Sequence, residues 1–298
     1  MKVLITGTNG LLGQYLVRDC VQKGYTVIAT GRGDCRLSPA TLGNAAYMIM
    51  DITDQQQVRS VITETQPDII VHGAAMAQPD ACELDKEACR LTNVSATGYI
   101  CEAAASAGAK VIYVSTDFVF NGKEGPYTEE DHPDPVNFYG QSKLDGEYLV
   151  WQLEKWAIVR TILVYGNILH GTRSNVVTWV KDNLEKGKSI KVVSDQVRTP
   201  TYVEDLSKAI LLIIEKDAEG LYHIGGREVL TPWDIALQVA DFFNLDKSLM
   251  EKVNAAVFTQ PALRPLKTGF VIKKAQQDLG YEPVSFKEGI EKMFSENR

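Results

Sequence analysis

The sequence predicts an α/β fold: a doubly wound parallel sheet with a smaller C-terminal lobe. Short apolar runs alternate with helical patterns through the first half of the chain. Three glycines, Gly7, Gly10 and Gly13, lie between the first apolar run and the first helical pattern. After about Tyr165 the alternation weakens and helical patterns dominate. We therefore place a Rossmann-type domain at residues 1–165, and a smaller lobe, interleaved with returns to the main sheet, at residues 166–298.

The three glycines occupy the turn that joins the first strand to the first helix. The apolar run starting at Lys2 is a buried strand, and Leu11 to Lys23 has helical apolar spacing that Gly24 ends. Glycines here allow a tight bend and close approach to a pyrophosphate, and the helix N-terminus offers free N–H groups. Three packing glycines of an ordinary α/β protein are the alternative. We expect a dinucleotide to bind at Gly7, Asn9, Gly10, Leu11, Leu12 and Gly13.

The later strands of the first half lead to a second cluster of polar residues. Strands are predicted at Tyr25–Thr30, Ala46–Met50, Ile69–His72, Val111–Val114 and Ala157–Arg160. Asp54 is expected to cap a helix running to about Glu64, and a long helix is expected between about Lys86 and Ala107. The fifth strand delivers Ser115, Thr116 and Asp117 at its carboxyl end, the edge where open α/β sheets bind ligands.

Helical patterns characterise the second half. They cover Ser174–Glu185, Tyr202–Glu215 and Thr231–Phe243. Thr231-Pro232 is typical of a helix start, since a threonine can cap the first turn and a proline fits its first position.

Tyr139 and Lys143 form the most informative pair of the chain. Residues four apart on a helix share a face, so the phenol and the ammonium are expected to lie side by side. A free tyrosine titrates near pH 10, and a neighbouring cation favours its ionised form. We therefore expect Lys143 to lower the pKa of Tyr139 toward the range in which it can exchange a proton.

The composition is that of a globular protein and excludes several partners. Apolar residues make up 45% and charged residues 23% of the 298 positions. A net charge of −7 predicts no contact with nucleic acid or anionic membranes, and no apolar stretch reaches the roughly 20 residues of a membrane span. The scattered Cys20, Cys35, Cys82, Cys89 and Cys101 indicate reduced, mostly buried thiols and a cytoplasmic location. Glu129–His132 resembles a metal site only by composition, so no metal is expected.

Together these patterns resemble a known family. The glycine turn, Ser115-Thr116-Asp117 after a strand, and Tyr139-x-x-x-Lys143 resemble the extended short-chain dehydrogenase/reductases. Within them the chain is most similar to the dTDP-4-dehydrorhamnose reductase group. The segments that carry this closer resemblance span nearly the full length: Ser115–Phe120, Pro126–Glu129, Asn137–Glu147, Arg160–Gly166, Asp195–Thr201 and Arg264-Pro265.

The end of the second strand favours NADPH over NADH. NADH sites usually place an acidic residue there for the ribose, whereas an arginine accommodates a 2′-phosphate. Here no carboxylate precedes Asp34, and Arg32 supplies a positive fork; an exposed loop arginine is the alternative. We expect NADPH, with NADH possible. The resemblance adds Asp51, Ile52, Ala74, Ala75, Asn93, Ser115, Tyr139 and Lys143 as cofactor-binding residues; Asn93 would brace the lysine, unless it is a solvated helix residue.

The resemblance implies reduction of the 4-keto group of a nucleotide-linked deoxysugar, as in dTDP-rhamnose biosynthesis. Thr116, Tyr139 and Lys143 would be catalytic: the tyrosine protonates the carbonyl oxygen, the threonine hydrogen-bonds it, and the lysine holds the nicotinamide ribose. Substrate-binding residues implied in the same way are Asp117, Val119, Phe120, Gln196, Arg198 and Arg264. A glycine is usual where Arg198 stands, so this arginine could reach the substrate, reshape the pocket or be exposed. A homodimer is implied by the family alone.

Two other functions stay open. Related sugar-nucleotide dehydratases carry an Asp-Glu pair after the threonine, and Phe118 in place of that glutamate cannot move a proton. An epimerase of the same superfamily is an alternative, although it usually retains NAD, which Arg32 does not favour. Some similar proteins are non-catalytic, NADP-binding regulatory subunits of a partner enzyme, and this is the alternative from another class.

Overall fold

The structure is a computed structural model that describes residues 1–171 and 174–295. Its strands are β1 (Lys2–Thr6), β2 (Thr26–Gly31), β3 (Ala46–Ile49), β4 (Ile69–His72), β5 (Lys110–Thr116), β6 (Trp156–Thr161), β7 (Val164–Tyr165), β8 (Ile190–Val193), β9 (Thr201–Tyr202), β10 (Gly220–Ile224) and β11 (Met250–Val253). Seven of them form one parallel sheet in the order β10-β6-β5-β4-β1-β2-β3. The predicted α/β class with a doubly wound parallel sheet is confirmed.

Helices cover both faces of this sheet. They are α1 (Leu11–Gln22), α2 (Pro39–Leu42), α3 (Gln55–Thr65), α4 (Pro79–Leu84), α5 (Lys86–Arg90), α6 (Ala96–Ala107), α7 (Phe138–Val150), α8 (Val176–Glu185), α9 (Val203–Glu215), α10 (Pro232–Phe242), α11 (Lys273–Leu279) and α12 (Phe286–Phe294). Asp54 caps α3 and Thr231 caps α10, both as predicted. Two apolar cores result, one on each face of the sheet.

The long helix predicted between Lys86 and Ala107 is interrupted. A π-helical turn at Leu91–Ser95 separates α5 from α6, and the short helix α4 precedes them. Apolar spacing does not reveal such a turn, because one wide turn leaves the pattern on either side intact. The π-turn carries Asn93, whose side chain is fully buried.

The C-terminal half builds a third core and also returns to the main sheet. Helices α8, α10 and α12 pack together with the two-stranded parallel sheet of β8 and β11 around a separate apolar cluster. Strand β10 pairs with β6 at the edge of the central sheet. The strand order reverses beside β1, between β2 and β4, and it is at such a switch point that open sheets bind their ligands.

Candidate active site

A cleft of about 1100 Å³ runs along the carboxyl edge of the central sheet. Its wall includes the β1–α1 turn, the ends of β2, β4 and β5, and the start of α7. Most predicted site residues line it: Gly7, Asn9, Gly10, Leu11, Leu12, Gly13, Arg32, Asp51, Ile52, Ala74, Ala75, Ser115, Thr116, Asp117, Tyr139, Lys143, Arg198 and Arg264. Asn93, Val119, Phe120 and Gln196 do not.

The glycine turn has no room for larger side chains. A Cβ on Gly13 would lie 2.5 Å from the Cα of Thr8, and one on Gly7 would lie 2.9 Å from the Cα of Ala74. The Gly10 N–H donates to the Gly7 carbonyl (2.9 Å), which closes the bend. The first turn of α1 therefore packs directly on the strand ends, and its N-terminus faces the cleft.

Asn9 organises the loop after β2. Its side-chain oxygen accepts from the Arg36 N–H (2.8 Å), and its amide donates to the Asp34 carbonyl (3.1 Å) and the Tyr47 hydroxyl (3.2 Å). This brings a second arginine, Arg36, into the cleft wall beside the exposed Arg32. Sequence reasoning missed Arg36, although it lies only four residues from Arg32.

Thr116, Tyr139 and Lys143 converge at the other end of the cleft. Thr116 ends β5, and the start of α7 carries Tyr139, whose hydroxyl lies close enough to Thr116 for the threonine to influence the pKa of the phenol. Asn137 caps α7 by accepting from the Gly140 N–H (2.8 Å). A Cβ on Gly140 would collide with the Phe118 carbonyl, so glycine lets α7 approach the end of β5. The cap and the glycine thus set the position of the phenol.

Burial dominates the charge states of this group. It raises the pKa of Tyr139 well above its ordinary value, while the nearby Thr116 hydroxyl acts in the opposite direction. Burial lowers the pKa of Lys143 to about 7, and Glu147 partly opposes this. The expected net lowering of the Tyr139 pKa is therefore not found, because burial outweighs every influence that favours the phenolate. The Lys143 Nζ lies 4.0 Å from the centre of the Tyr113 ring, so in its charged form it makes a cation–π contact with Tyr113.

Asn93 links helix α7 to the loop after β4. Its oxygen accepts from the Met76 N–H (2.8 Å), and its amide donates to the Met76 carbonyl (3.0 Å) and the Ser142 hydroxyl (2.9 Å). With 1% of its surface exposed, it is not a solvated helix residue. Asn93 therefore joins the loop after β4 to the turn of α7 between Tyr139 and Lys143.

Two buried thiols, which the sequence did not point to as part of the site, also pack with Tyr139. Cys82 and Cys89 pack in one apolar cluster with the Tyr139 ring. The Cys89 thiol also contacts the Ser142 hydroxyl (3.3 Å). The interaction between the two thiols raises the pKa of Cys82 and lowers the pKa of Cys89 to about 7. Their spacing of seven residues gave no sign of this contact, because α4 and α5 belong to different helical patterns.

Ser115 faces a buried ion pair. Its hydroxyl donates to Glu147, and the Glu147 carboxylate accepts two hydrogen bonds from Arg160, at 2.9 Å from Nε and 2.6 Å from Nη2. Both charged residues are 3% exposed. The pair ties α7 to β5 and β6 immediately behind the cleft.

The residues predicted to bind the substrate do not form a single group in the structure. Asp117 and Arg198 are buried and lie together, with the arginine Nε 3.7 Å from the carboxylate, and Arg264 makes a two-point hydrogen bond with Asp80 (2.9 and 2.7 Å). Arg198 is therefore a buried part of the cleft wall and not an exposed loop residue. Gln196 lies outside the wall and reaches it only through a 3.5 Å contact with Arg198.

Val119 and Phe120 need a correction. Both side chains are fully buried in the core, where the Phe120 ring stacks on Tyr127 with centroids 4.1 Å apart. A short 3-10 turn follows β5 and directs these residues inward. Their side chains cannot contact a substrate in the cleft.

Neither a metal site nor a membrane-crossing helix is found among the described residues. Across residues 1–171 and 174–295, no group of three or more acidic, histidine or cysteine side chains is arranged to hold a metal ion. In the same ranges, no helix combines the length and the apolar character required to cross a membrane.

The chain was compared with known proteins. The family model described as RmlD substrate binding domain matches residues 1–298. The chain is 35% identical to methionine adenosyltransferase 2 subunit beta of Rattus norvegicus, over 85% of this chain and 75% of that one. It is 32% identical to the spore coat polysaccharide biosynthesis protein SpsK of Bacillus subtilis, over 99% and 97%. A crystal structure of dTDP-4-dehydrorhamnose reductase from Bacillus anthracis in complex with NADP superimposes with a TM-score of 0.87 at 30% identity, covering 99% of each chain.

Proposed function

The chain belongs to the family of the RmlD substrate binding domain, and from this premise we propose that it is an NADPH-dependent reductase of 4-keto nucleotide sugars. The preferred substrate class is that of dTDP-4-dehydrorhamnose, and the reaction would belong to dTDP-rhamnose biosynthesis. One observation carries the proposal: Thr116, Tyr139 and Lys143 share one end of a cleft whose other end is a glycine turn and an arginine pair.

The residues of the cleft fit a phosphorylated dinucleotide. Any side chain on Gly7 or Gly13 would collide with neighbouring backbone, so the turn lets a pyrophosphate approach the N-terminus of α1. Arg32 and Arg36 supply two cations at the end of β2, where a 2′-phosphate is expected, and the first carboxylate of that loop comes only at Asp34. This supports NADPH, with NADH as the weaker cofactor.

The reactive groups support proton donation to a ketone. NADPH would supply the hydride when bound. Burial keeps the Tyr139 phenol protonated at neutral pH, so that it can donate its proton to the carbonyl oxygen. The Thr116 hydroxyl, next to the phenol, could stabilise negative charge on the same oxygen. Lys143 would stabilise the phenolate left behind and bind the cofactor ribose.

The direct test mixes pure protein with NADPH and a panel of 4-keto nucleotide sugars that includes dTDP-4-dehydrorhamnose. The absorbance of the reduced nicotinamide should fall with at least one sugar, and more slowly when NADH replaces NADPH. The Tyr139→Phe variant is the control, because it should bind NADPH and fail to oxidise it. No oxidation with any sugar would reject the reductase.

A second candidate is a regulatory subunit that binds NADP and a partner enzyme. The 35% identity to methionine adenosyltransferase 2 subunit beta favours it. It predicts NADPH binding in calorimetry without turnover in the panel, and a change in the activity of an added methionine adenosyltransferase.

We also propose a cytoplasmic location and a homodimer. Four of the five cysteines are buried and all are free, which suits a reducing compartment. Sedimentation of the pure protein would measure the oligomeric state.

A further inference from the structure

The Arg198 side chain is hydrogen-bonded to two distant segments of the chain. Its two terminal nitrogens donate to three carbonyl oxygens: those of Val197 (2.8 Å), Leu266 (2.9 Å) and Pro265 (2.7 Å). The backbone N–H of Val197 donates to the Leu266 carbonyl (2.7 Å), so two distant chain segments meet at this point. Only 5% of the arginine is exposed. The guanidinium thereby joins residues 195–200 to residues 264–268 in the cleft wall.

The remaining nitrogen of the guanidinium faces Asp117. The arginine Nε lies 3.7 Å from Oδ2 of Asp117, which is itself 3% exposed. The same oxygen accepts from the hydroxyl of Thr268 (2.5 Å), and Oδ1 accepts from the hydroxyl of Thr116 (3.1 Å). Arg198 is therefore one contact away from a residue proposed to act on the substrate.

These hydrogen bonds fix the direction of the Thr116 proton. A hydroxyl has one hydrogen, and here it points to Asp117, which leaves the Thr116 oxygen to accept from the Phe118 N–H (3.3 Å). To donate to a ketone oxygen, Thr116 must turn this hydrogen away from Asp117. The carboxylate then keeps Thr268 and Arg198 as side-chain partners.

We propose that Arg198 is a positioning residue, which holds Asp117 as a carboxylate and so governs the orientation of the Thr116 hydroxyl at the reactive end of the cleft. The inference rests on the proposed reductase function. It assigns a role in this chain to a position where the sequence departs from the pattern of similar reductases.

The charges around Asp117 support this assignment. Burial raises the pKa of Asp117, and Arg198 is the largest opposing influence. Across the described parts of the chain, the other ionisable groups near this pair are the Tyr139 phenol on α7 and Arg264, which lies beyond Arg198. Without Arg198 the carboxyl would ionise at higher pH, because a buried carboxylate without a cation is costly. Once protonated, it would donate to one of its two hydroxyl partners and could no longer accept from both Thr116 and Thr268, so the orientation of the Thr116 hydroxyl would no longer be fixed.

The test compares wild type with Arg198→Met and Arg198→Lys. Carboxyl carbons of ¹³C-labelled aspartate are titrated by NMR in the full-length protein, and the Asp117 signal is identified by its absence in Asp117→Asn. The ionisation should move up by about one pH unit or more in Arg198→Met. It should stay near the wild-type position in Arg198→Lys, which keeps the charge but loses the fork that binds three carbonyls.

Activity supplies the second readout. The pH profile of kcat/KM for NADPH and dTDP-4-dehydrorhamnose should contain an ionisation that Asp117→Asn removes and Arg198→Met shifts upward. A purely structural Arg198 would lower activity equally at every pH, and that result would overturn the proposal. An unchanged Asp117 titration in Arg198→Met would also overturn it.

The variants and the two readouts distinguish a failure of this proposal from a folding defect and from a failure of the proposed function. If Arg198→Met does not fold, Arg198→Lys still decides: a Lys variant that folds but shows the shifted ionisation expected of Met overturns the role of the charge. If no protein oxidises NADPH, the proposed function fails, whereas the NMR titration still decides whether Arg198 holds Asp117 ionised.

Discussion

At the level of single residues, desolvation decides what each reactive group can do. Tyr139 is buried in the cleft wall, so its phenol stays protonated, as a proton donor must. Lys143 is equally buried, and its pKa of about 7 makes its charge sensitive to whatever binds beside it. Burial thus keeps the phenol protonated, whereas a charged Lys143 would favour the phenolate and make the proton easier to release.

Replacing Tyr139 by Phe removes the acid and keeps the ring. The packing of the ring against Phe118, with centroids 5.6 Å apart, should persist. We expect turnover to fall by about 10²–10⁴ while NADPH binding changes little. Steady-state kinetics and calorimetric titration check the two parts, and wild-type turnover in this variant would show that another group is the acid.

At the level of elements, the site depends on close contacts between a few strands and helices. The turn before α1 works because glycines let it touch β1 and the loop after β4. Helix α7 is held at the cleft by its cap, by Asn93 and by the ion pair of Glu147 with Arg160. Each contact sets the distance between two elements, and the cleft takes its shape from these distances.

Gly13 and Gly98 offer a matched pair of substitutions to alanine. Both glycines lie inside helices, α1 and α6. A Cβ on Gly13 meets the Thr8 backbone at 2.5 Å, whereas one on Gly98 meets only Leu149 Cδ1, at 3.8 Å. Gly13→Ala should weaken NADPH binding at least about tenfold, since the turn must open. Gly98→Ala should leave binding unchanged and stabilise α6 by up to about 1 kcal/mol. Equal NADPH affinities in the two variants would contradict the role given to the turn.

The Glu147–Arg160 pair should be costly to break from one side. Arg160→Met leaves a buried carboxylate that keeps the hydrogen bond from Ser115 but loses its ion pair. We expect the free energy of unfolding to fall by about 3–5 kcal/mol, measured by urea denaturation. The double variant Glu147→Leu/Arg160→Met should recover a large part of this loss, because no charge remains buried. A double variant no more stable than the single one would argue against the ion pair as the cause.

At the level of the whole molecule, local patterns were predictable and long-range contacts were not. The strands, the glycine turn and the Tyr139–Lys143 pair follow from spacing within a dozen residues. The contact of Asp117 with Thr268 spans 151 positions. The proximity of the free Cys82 and Cys89 thiols depends on how two short helices pack. Val119 and Phe120 were misplaced for a related reason: the polar residues just before them gave no sign of the turn that sends them into the core.

Stability of the whole chain should also depend on pH through Lys143. In the unfolded chain this lysine titrates near 10.5, and in the folded, cofactor-free protein near 7. Between these values the unfolded state binds more protons, so the free energy of unfolding should rise with pH, by up to about 1.4 kcal/mol per unit. Lys143→Met should show a flatter dependence in urea denaturation between pH 7 and pH 9. Identical slopes in the two proteins would mean that the amine is not desolvated.

The measurement that tests the central claim most directly follows a labelled hydride. NADPH carrying deuterium at the transferable position of its nicotinamide is mixed with the protein and dTDP-4-dehydrorhamnose, and the sugar product is examined by NMR. If the cleft joins the glycine turn to Thr116, Tyr139 and Lys143 as one reductase site, deuterium will appear on C4 of the sugar, and Tyr139→Phe will suppress it. An unlabelled sugar in the presence of protein that binds NADPH tightly would contradict the account and favour a binding subunit.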